Sequence, residues 1–365
     1  MKIKFLDLER QYETIKQEIE PAVLAVMDSQ IFINGPIVKE FEEKFADFCG
    51  TKYAVGCSSG TDALLMALIG YDIGPGDEVI TTPFTFFATV ETIIRGGAKP
   101  VFVDIDEKTF NIKTSSIEAQ ITEKTKAIMP VHIFGQCCNM DEIVLLARKY
   151  NLRVIEDAAQ AVGAHWKNDK AGSMGDAGCF SFFPSKNLGG FGDGGIVTTN
   201  DTKLYNKLLT TRQHGIDMNK PYFYSHIGGN FRLDAIQASV LNIKLKYITH
   251  WQEKRRQNAY FYNKLFKKVV VPSEDINVYH VYNQYVIKHS QRDIIKNNLI
   301  NKKIGCAIYY PLPLHLQPCI KFLGYKEGDF PVCESACEQV LALPIYPEVT
   351  EEEQRIIVSG VEEIL

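Results

Sequence analysis

Phe180-Ser-Phe-Phe-Pro-Ser-Lys-Asn-Leu-Gly-Gly190 runs from an apolar stretch into a proline, a lysine and paired glycines. Such a change of composition reads as a strand leaving a sheet and entering a tight turn, with Lys186 set in the turn. Upstream, Arg153-Val-Ile-Glu-Asp-Ala-Ala-Gln160 repeats the pattern and ends its strand on Asp157. Earlier still, Tyr53-Ala-Val-Gly-Cys57 leads into Ser58-Ser-Gly-Thr-Asp62 and then the apolar helical run Ala63, Leu64, Leu65, Ala67 and Leu68. Three strand ends thus offer an amine, a carboxylate and the free amides of a helix start. In an open α/β sheet the strand ends on one edge converge on a ligand crevice.

That trio is what pyridoxal phosphate requires. A lysine amine holds it as a Schiff base, a carboxylate keeps its pyridine nitrogen protonated, and a helix N-terminus receives its phosphate. Each part alone has an ordinary reading. A lysine can lay its stem along the surface, Asp157 can cap a following helix through Ala158, and Ser59-Gly60-Thr61 can be a plain helix start. Their joint occurrence in this order gives the trio its meaning.

Working outward, residues 50 to about 215 alternate strand-like runs with helical segments, the pattern of a mostly parallel sheet covered on both faces. The runs are Tyr53 to Cys57, Glu78 to Thr82, Pro100 to Asp104, Ala127 to His132, Arg153 to Glu156, Gly178 to Phe182 and Gly195 to Thr199. Helices are expected over Phe84 to Arg95, Ser116 to Ile121 and Met140 to Tyr150, and Gly74-Pro-Gly-Asp77 marks a turn. Residues 233–267 read as one long helical stretch. Beyond it, Val269-Val-Val271 and Tyr282-Asn-Gln-Tyr-Val-Ile287 read as short strands beside a proline-rich loop, Tyr310-Pro-Leu-Pro-Leu-His-Leu-Gln-Pro318. The expected organisation is an N-terminal segment (1–30) packing on the small domain, a large domain (31–250) and a small C-terminal α/β domain (251–365).

With 365 residues, 45% of them hydrophobic, the chain can bury a large core. A net charge of -4 leaves no basic surplus for nucleic acid. Lys254-Arg255-Arg256 reads as a solvated helix face. The charged start Met1-Lys-Ile-Lys-Phe5 is no signal peptide and no apolar run reaches membrane-spanning length, so a cytoplasmic protein with no membrane partner is expected. Nine irregularly spaced cysteines are no disulfide framework, and Cys333 and Cys337 lack the companions a metal site needs, so no metal is expected.

Gly60-Thr-Asp-Ala-Leu64, Thr85-Phe-Phe-Ala-Thr89, Glu156-Asp-Ala-Ala-Gln160, Ser181-Phe-Phe-Pro-Ser-Lys186, Gly192-Asp-Gly-Gly195 and Asn230-Phe-Arg-Leu-Asp-Ala-Ile-Gln237 together resemble the DegT/DnrJ/EryC1/StrS family of sugar aminotransferases. The likeness extends over nearly the whole chain. It implies a fold type I, aspartate aminotransferase-like enzyme, a homodimer with shared active sites, and transfer of an amino group from L-glutamate, released as 2-oxoglutarate, to a nucleotide-linked keto-sugar. It further implies Lys186 as the Schiff-base lysine, Asp157 on the pyridine nitrogen, Gln160 near the 3-hydroxyl oxygen, and Gly60, Thr61 and Ser181 at the phosphate. Phe86 takes the stacking position, and Asn230 reaches the phosphate from the neighbouring subunit. Arg232, Tyr309, Tyr310 and His315 are candidate substrate contacts, although Arg232 can instead pair with Asp234. One of Phe84 and Phe87 is expected in the core.

Relatives with histidine at the lysine position are dehydratases, so lysine here favours transamination. The segments Phe5-Leu-Asp-Leu-Glu-Arg-Gln11 and Ile33-Asn-Gly-Pro36 resemble those of relatives that aminate C3 of 3-keto sugars. The alternatives are amination at C4, dehydration, or a non-catalytic regulatory role.

Overall fold

A computed structural model of the chain describes residues 2–217 and 219–365. Nine strands precede residue 200: β1 (Tyr53–Cys57), β2 (Glu78–Thr81), β3 (Lys99–Phe102), β4 (Thr125–Ile128), β5 (Arg153–Asp157), β6 (His165–Trp166), β7 (Asp169–Lys170), β8 (Ala177–Ser181) and β9 (Gly195–Thr199). Seven of them form one sheet in the order β1-β9-β8-β5-β4-β2-β3. β9 runs antiparallel to both neighbours, and every other pairing in that sheet is parallel.

Alternate residues of the central strands enter opposite cores, as a pleated strand dictates. Ile80, Ile128 and Val154 face α2 (Gly35–Cys49), α5 (Met140–Tyr150) and α7 (Ala235–Leu245), whereas Val79, Ala127 and Ile155 face α3 (Gly60–Gly70), α4 (Ala88–Arg95) and α6 (Thr202–Thr211). Burial on both faces explains why these strands read as unbroken apolar runs. Helix α3 is apolar around most of its circumference because it is wedged within the fold. Its start is fixed by the Ser59 side chain, which accepts from the Asp62 amide at 3.0 Å.

The helix expected from Phe84 begins at Ala88. Phe84 leaves the helical path to enter a core with Phe110 and Phe134, and the Leu314 amide donates to the Pro83 carbonyl at 2.9 Å. Ser116 to Ile121 is not an α-helix, because Thr114–Ser116 and Glu118–Gln120 form two 3-10 turns. The long stretch from 233 divides into α7 and α8 (Ile248–Leu265). At the break, the Lys246 and Tyr247 amides bond carbonyls only three residues back, so the chain tightens and turns. α8 then leaves the sheet, bringing Ala259 and Tyr262 into the second core.

That core belongs to the C-terminal region. β11 (Tyr285–Lys288) pairs antiparallel with β12 (Val340–Leu343), while β10 (Val278–Tyr279) joins β6 and β7 in a separate ribbon. The helices α9 (Arg292–Asn301), α10 (Pro331–Gln339) and α11 (Glu351–Glu362) accompany the β11–β12 pair. Val269 to Val271 forms no strand; only Val270 bridges to Lys288. The structure divides the N-terminal segment. Ile3 bridges to Ile304 and Arg10 pairs with Glu353, but α1 (Leu8–Ser29) places Ile15, Ile19 and Val26 in the core of the large domain. Its apolar face fits the sheet-covering helices, and that overrides the expectation that the whole of 1–30 packs on the small domain.

Candidate active site

The carboxyl ends of β1, β5 and β8, the link from β2 to α4, and a segment of the C-terminal region enclose a cavity of about 610 Å³. Gly60, Thr61, Phe86, Asp157, Gln160, Ser181, Lys186, Tyr309 and Tyr310 all line it, so nine of the sequence-selected positions meet in one place.

Asp157 ends β5 and is buried. Its Oδ2 accepts from the Thr89 hydroxyl at 2.7 Å and its Oδ1 from the Ala159 amide at 3.2 Å. Thr89 is in turn 2.9 Å from the Thr85 hydroxyl, in the bend that leads into α4. Burial pushes the carboxyl pKa up, while these donors and the charge of Lys186 act against the rise. The neighbouring Glu156 points the other way. It accepts from the amides of Gly172, Met174 and Gly175 and meets His132 Nε2 at 2.9 Å. The Cys138 amide donates to His132 Nδ1, which leaves the ring proton on Nε2, toward Glu156. Glu156 therefore anchors β5 while Asp157 faces the cavity.

Lys186 sits in a turn clasped by its own backbone and by α7. The Lys186 amide donates to Phe183 O at 2.8 Å and the Gly190 amide to Phe182 O at 2.8 Å. From behind, Lys244 Nζ donates to Gly189 O at 2.7 Å, and Gln237 Oε1 accepts the Phe191 amide at 2.8 Å. Desolvation brings the Lys186 amine down to about 8, against the pull of the Asp157 charge.

At the other end, the amides of Gly60 and Thr61 have no acceptor among the described residues. A Cβ on Gly60 would lie 2.6 Å from Ser181 Cβ, so only glycine lets the helix start close on Ser181. Phe86 leaves 59% of its surface exposed at the cavity, a ring face open to stacking, whereas Phe84 is fully buried. Gln160 is held by the Phe134 amide at 2.7 Å and donates to the Tyr310 hydroxyl at 3.1 Å.

Three sequence candidates lie elsewhere. His315 is buried, bonded to Glu334 at 3.0 Å and set against Phe330, so it does not reach the cavity. Its part of the proline-rich loop folds inward, away from the substrate contact that was expected of His315. Asn230 is exposed and Arg232 half-buried, both outside the cavity lining of one chain. Arg232 makes no ion pair with Asp234; its Nε is buried without a partner among the described residues. Sequence reasoning passed over Thr89, Gln237, Lys244 and Asn283. The Thr85/Thr89 contact gave no sequence sign, because Thr85 lies in the bend before α4 and not on its face.

An anion cradle with unpaired amides, a buried carboxylate without a fixed cation, a desolvated amine and an open aromatic face fit pyridoxal phosphate. Set at the strand ends of this sheet, they make the protein a fold type I pyridoxal phosphate enzyme. Residues 13–362 match the model of the DegT/DnrJ/EryC1/StrS aminotransferase family, and the chain belongs to that family. It is a pyridoxal phosphate-dependent aminotransferase.

Over 369 residues it is 47% identical to a protein of Geobacillus stearothermophilus named pleiotropic regulatory protein, covering 100% of this chain and 98% of that one. It is 42% identical over 353 residues to the UDP-N-acetyl-3-dehydro-alpha-D-glucosamine 3-aminotransferase of Acidithiobacillus ferrooxidans, covering 96% and 95%. Among solved structures, Streptomyces venezuelae DesV in complex with a ketimine intermediate superposes with a TM-score of 0.96 at 36% identity, covering 100% and 98%.

Proposed function

We propose that this aminotransferase moves the amino group of L-glutamate to C3 of a UDP- or dTDP-linked 3-keto-hexose, supplying amino sugars for surface polysaccharide or lipid synthesis, lipopolysaccharide included, in the cytoplasm. The observation that carries the reading is the pairing of Lys186 and Asp157 across one cavity, in a chain 42% identical over nearly its full length to a C3 aminotransferase.

When bound, pyridoxal phosphate supplies an electron sink for the carbanion formed at the amino acid's α-carbon. Lys186 is the residue that holds it and the base that moves the proton. With an amine pKa near 8, a usable fraction of Lys186 is neutral at neutral pH. Asp157, fixed by Thr89 and Ala159, holds a proton on the ring nitrogen by its charge, in a site where low dielectric strengthens that charge. Gly60, Thr61 and Ser181 receive the phosphate, Phe86 covers the ring, and the Gln160 amide, braced by Tyr310, sits at the 3-hydroxyl oxygen.

The working unit in this reading is a homodimer in which Asn230 completes the partner's phosphate site and Arg232 offers a cation to its substrate. The apolar residues around Tyr222 and Ile227, exposed by 88% and 90%, favour a covering partner. Incubation with glutamate and a panel of 3-keto and 4-keto nucleotide sugars tests the reaction. Aminated products from the 3-keto members are expected. Amination of 4-keto members alone, or a dehydrated product, would overturn the C3 assignment.

A further inference from the structure

A carboxylate paired with a protonated ring nitrogen serves only while the shared proton stays on the nitrogen, so the carboxylate has to remain the weaker base. We propose that the Thr85 and Thr89 hydroxyls are the positioning groups that keep it so, donating in relay to Asp157 from behind. The inference rests on the reading above that Asp157 serves the ring nitrogen of pyridoxal phosphate.

Thr89 is fully buried and lies outside the cavity lining, so it acts on the site only through what it bonds. A buried helical threonine ordinarily bonds a carbonyl of the preceding turn of its own helix. Thr92, three residues further along α4, does so and donates to Ala88 O at 2.8 Å. Thr89 instead turns its hydroxyl out of the helix to Asp157 Oδ2 at 2.7 Å. The main chain of Asp157 is pinned there, because its amide donates to Pro130 O at 2.9 Å and its carbonyl accepts from the His132 amide at 3.0 Å.

The direction of the relay follows from counting hydrogens. A hydroxyl carries one, and that of Thr89 lies on the bond to Asp157. The 2.9 Å contact between Thr89 and Thr85 therefore takes its hydrogen from Thr85, so both hydroxyls point theirs toward the carboxylate. Chained donors polarise one another and strengthen the last bond. This arrangement fits an ionised Asp157, whereas a proton on Oδ2 would force the relay to reverse. The other oxygen, Oδ1, is held by the Ala159 amide at 3.2 Å, a group that can only donate. Burial favours the neutral acid, and the Thr89 bond is the strongest influence against it. Donors on the anion make it a weaker base; without them the shared proton moves toward Oδ2 and the ring nitrogen loses its charge.

The test loads the protein with pyridoxal phosphate isotopically labelled at the ring nitrogen and reads the nitrogen's NMR shift, which separates the protonated from the unprotonated ring, beside turnover. Wild type should show a protonated nitrogen. Thr89→Val keeps nearly the same shape without the hydroxyl; its signal should move toward the unprotonated position and its turnover fall about tenfold, the scale of losing one hydrogen bond to a charged group. Thr89→Ser retains the hydroxyl and should restore the signal, with turnover within about threefold of wild type. Thr85→Val leaves Thr89 in place and should move the signal the same way by less, which tests the relay even where Thr89→Val fails to fold. An unchanged signal in either valine variant once loaded, or equal loss in Thr89→Ser and Thr89→Val, overturns the relay alone. An unprotonated nitrogen in wild type, or one that stays protonated in Asp157→Asn, overturns the role of Asp157 and this assignment with it.

Discussion

Asp157 and Lys186 share the cavity, and each is shifted toward its uncharged form by burial while the other's charge opposes the shift. Loading the site with a protonated ring nitrogen gives Asp157 the cation it otherwise lacks. Asp157→Asn keeps the shape and the Thr89 contact but not the charge. It should retain the cofactor and lose on the order of a hundredfold or more in turnover, the scale of removing one preorganised electrostatic group. A rate near wild type in steady-state assays would remove Asp157 from the ring nitrogen. Their place at the cavity was readable because Asp157 closes an apolar run at a strand end and Lys186 stands in the turn that follows one. Thr89 was less readable, because its role depends on the backbone leaving the helical path between Phe84 and Phe87. His315 was misplaced for the converse reason: a proline-rich loop signals a turn but not whether the turn points to solvent or toward Glu334.

At the scale of elements, the seven strands of the large sheet and their order along the chain were legible, since turns bracket each apolar run and burial on both faces favours apolar residues. The boundaries of α4, the two 3-10 turns after Lys113 and the break between α7 and α8 were not, because tertiary contacts decide them. The grip of α7 on the lysine turn was equally hidden. Gln237 and Lys244 lie on one face of that helix, and Lys244 is buried with the Gly189 carbonyl as its hydrogen-bond partner and the Phe191 ring 4.7 Å away. Burial brings its amine down to about 8 from an ordinary 10.5. Between those values the unfolded chain binds the proton and the folded chain does not, so this group makes stability rise with pH across that window. Lys244→Met keeps the stem and removes the titration. The melting temperature of the variant relative to wild type should therefore fall between pH 8 and 10, with other groups cancelling in the difference. A pH-independent difference would mean that Lys244 is not buried as a strained cation.

At the scale of the whole molecule, one chain supplies a cavity with lysine, carboxylate and anion cradle, while Asn230 and Arg232 stand outside it. The large sheet and the meeting of its strand ends at one cavity were legible from the order of motifs. Asn230 stands outside the cavity of its own chain, which is where the proposed contribution to a second copy would put it. Mixed Lys186→Ala and Asn230→Ala subunits should recover part of the activity that each variant lacks, through hybrid dimers carrying one intact site. No recovery after verified subunit exchange would contradict shared sites. Everything proposed for this protein depends on Lys186 being the amine that holds the cofactor. Loading the protein with pyridoxal phosphate, reducing it with borohydride and mapping the pyridoxyl mass by peptide sequencing measures that bond itself. The label should fall on Lys186 and vanish in Lys186→Ala; a label on another lysine, or none on a loaded protein, would contradict it.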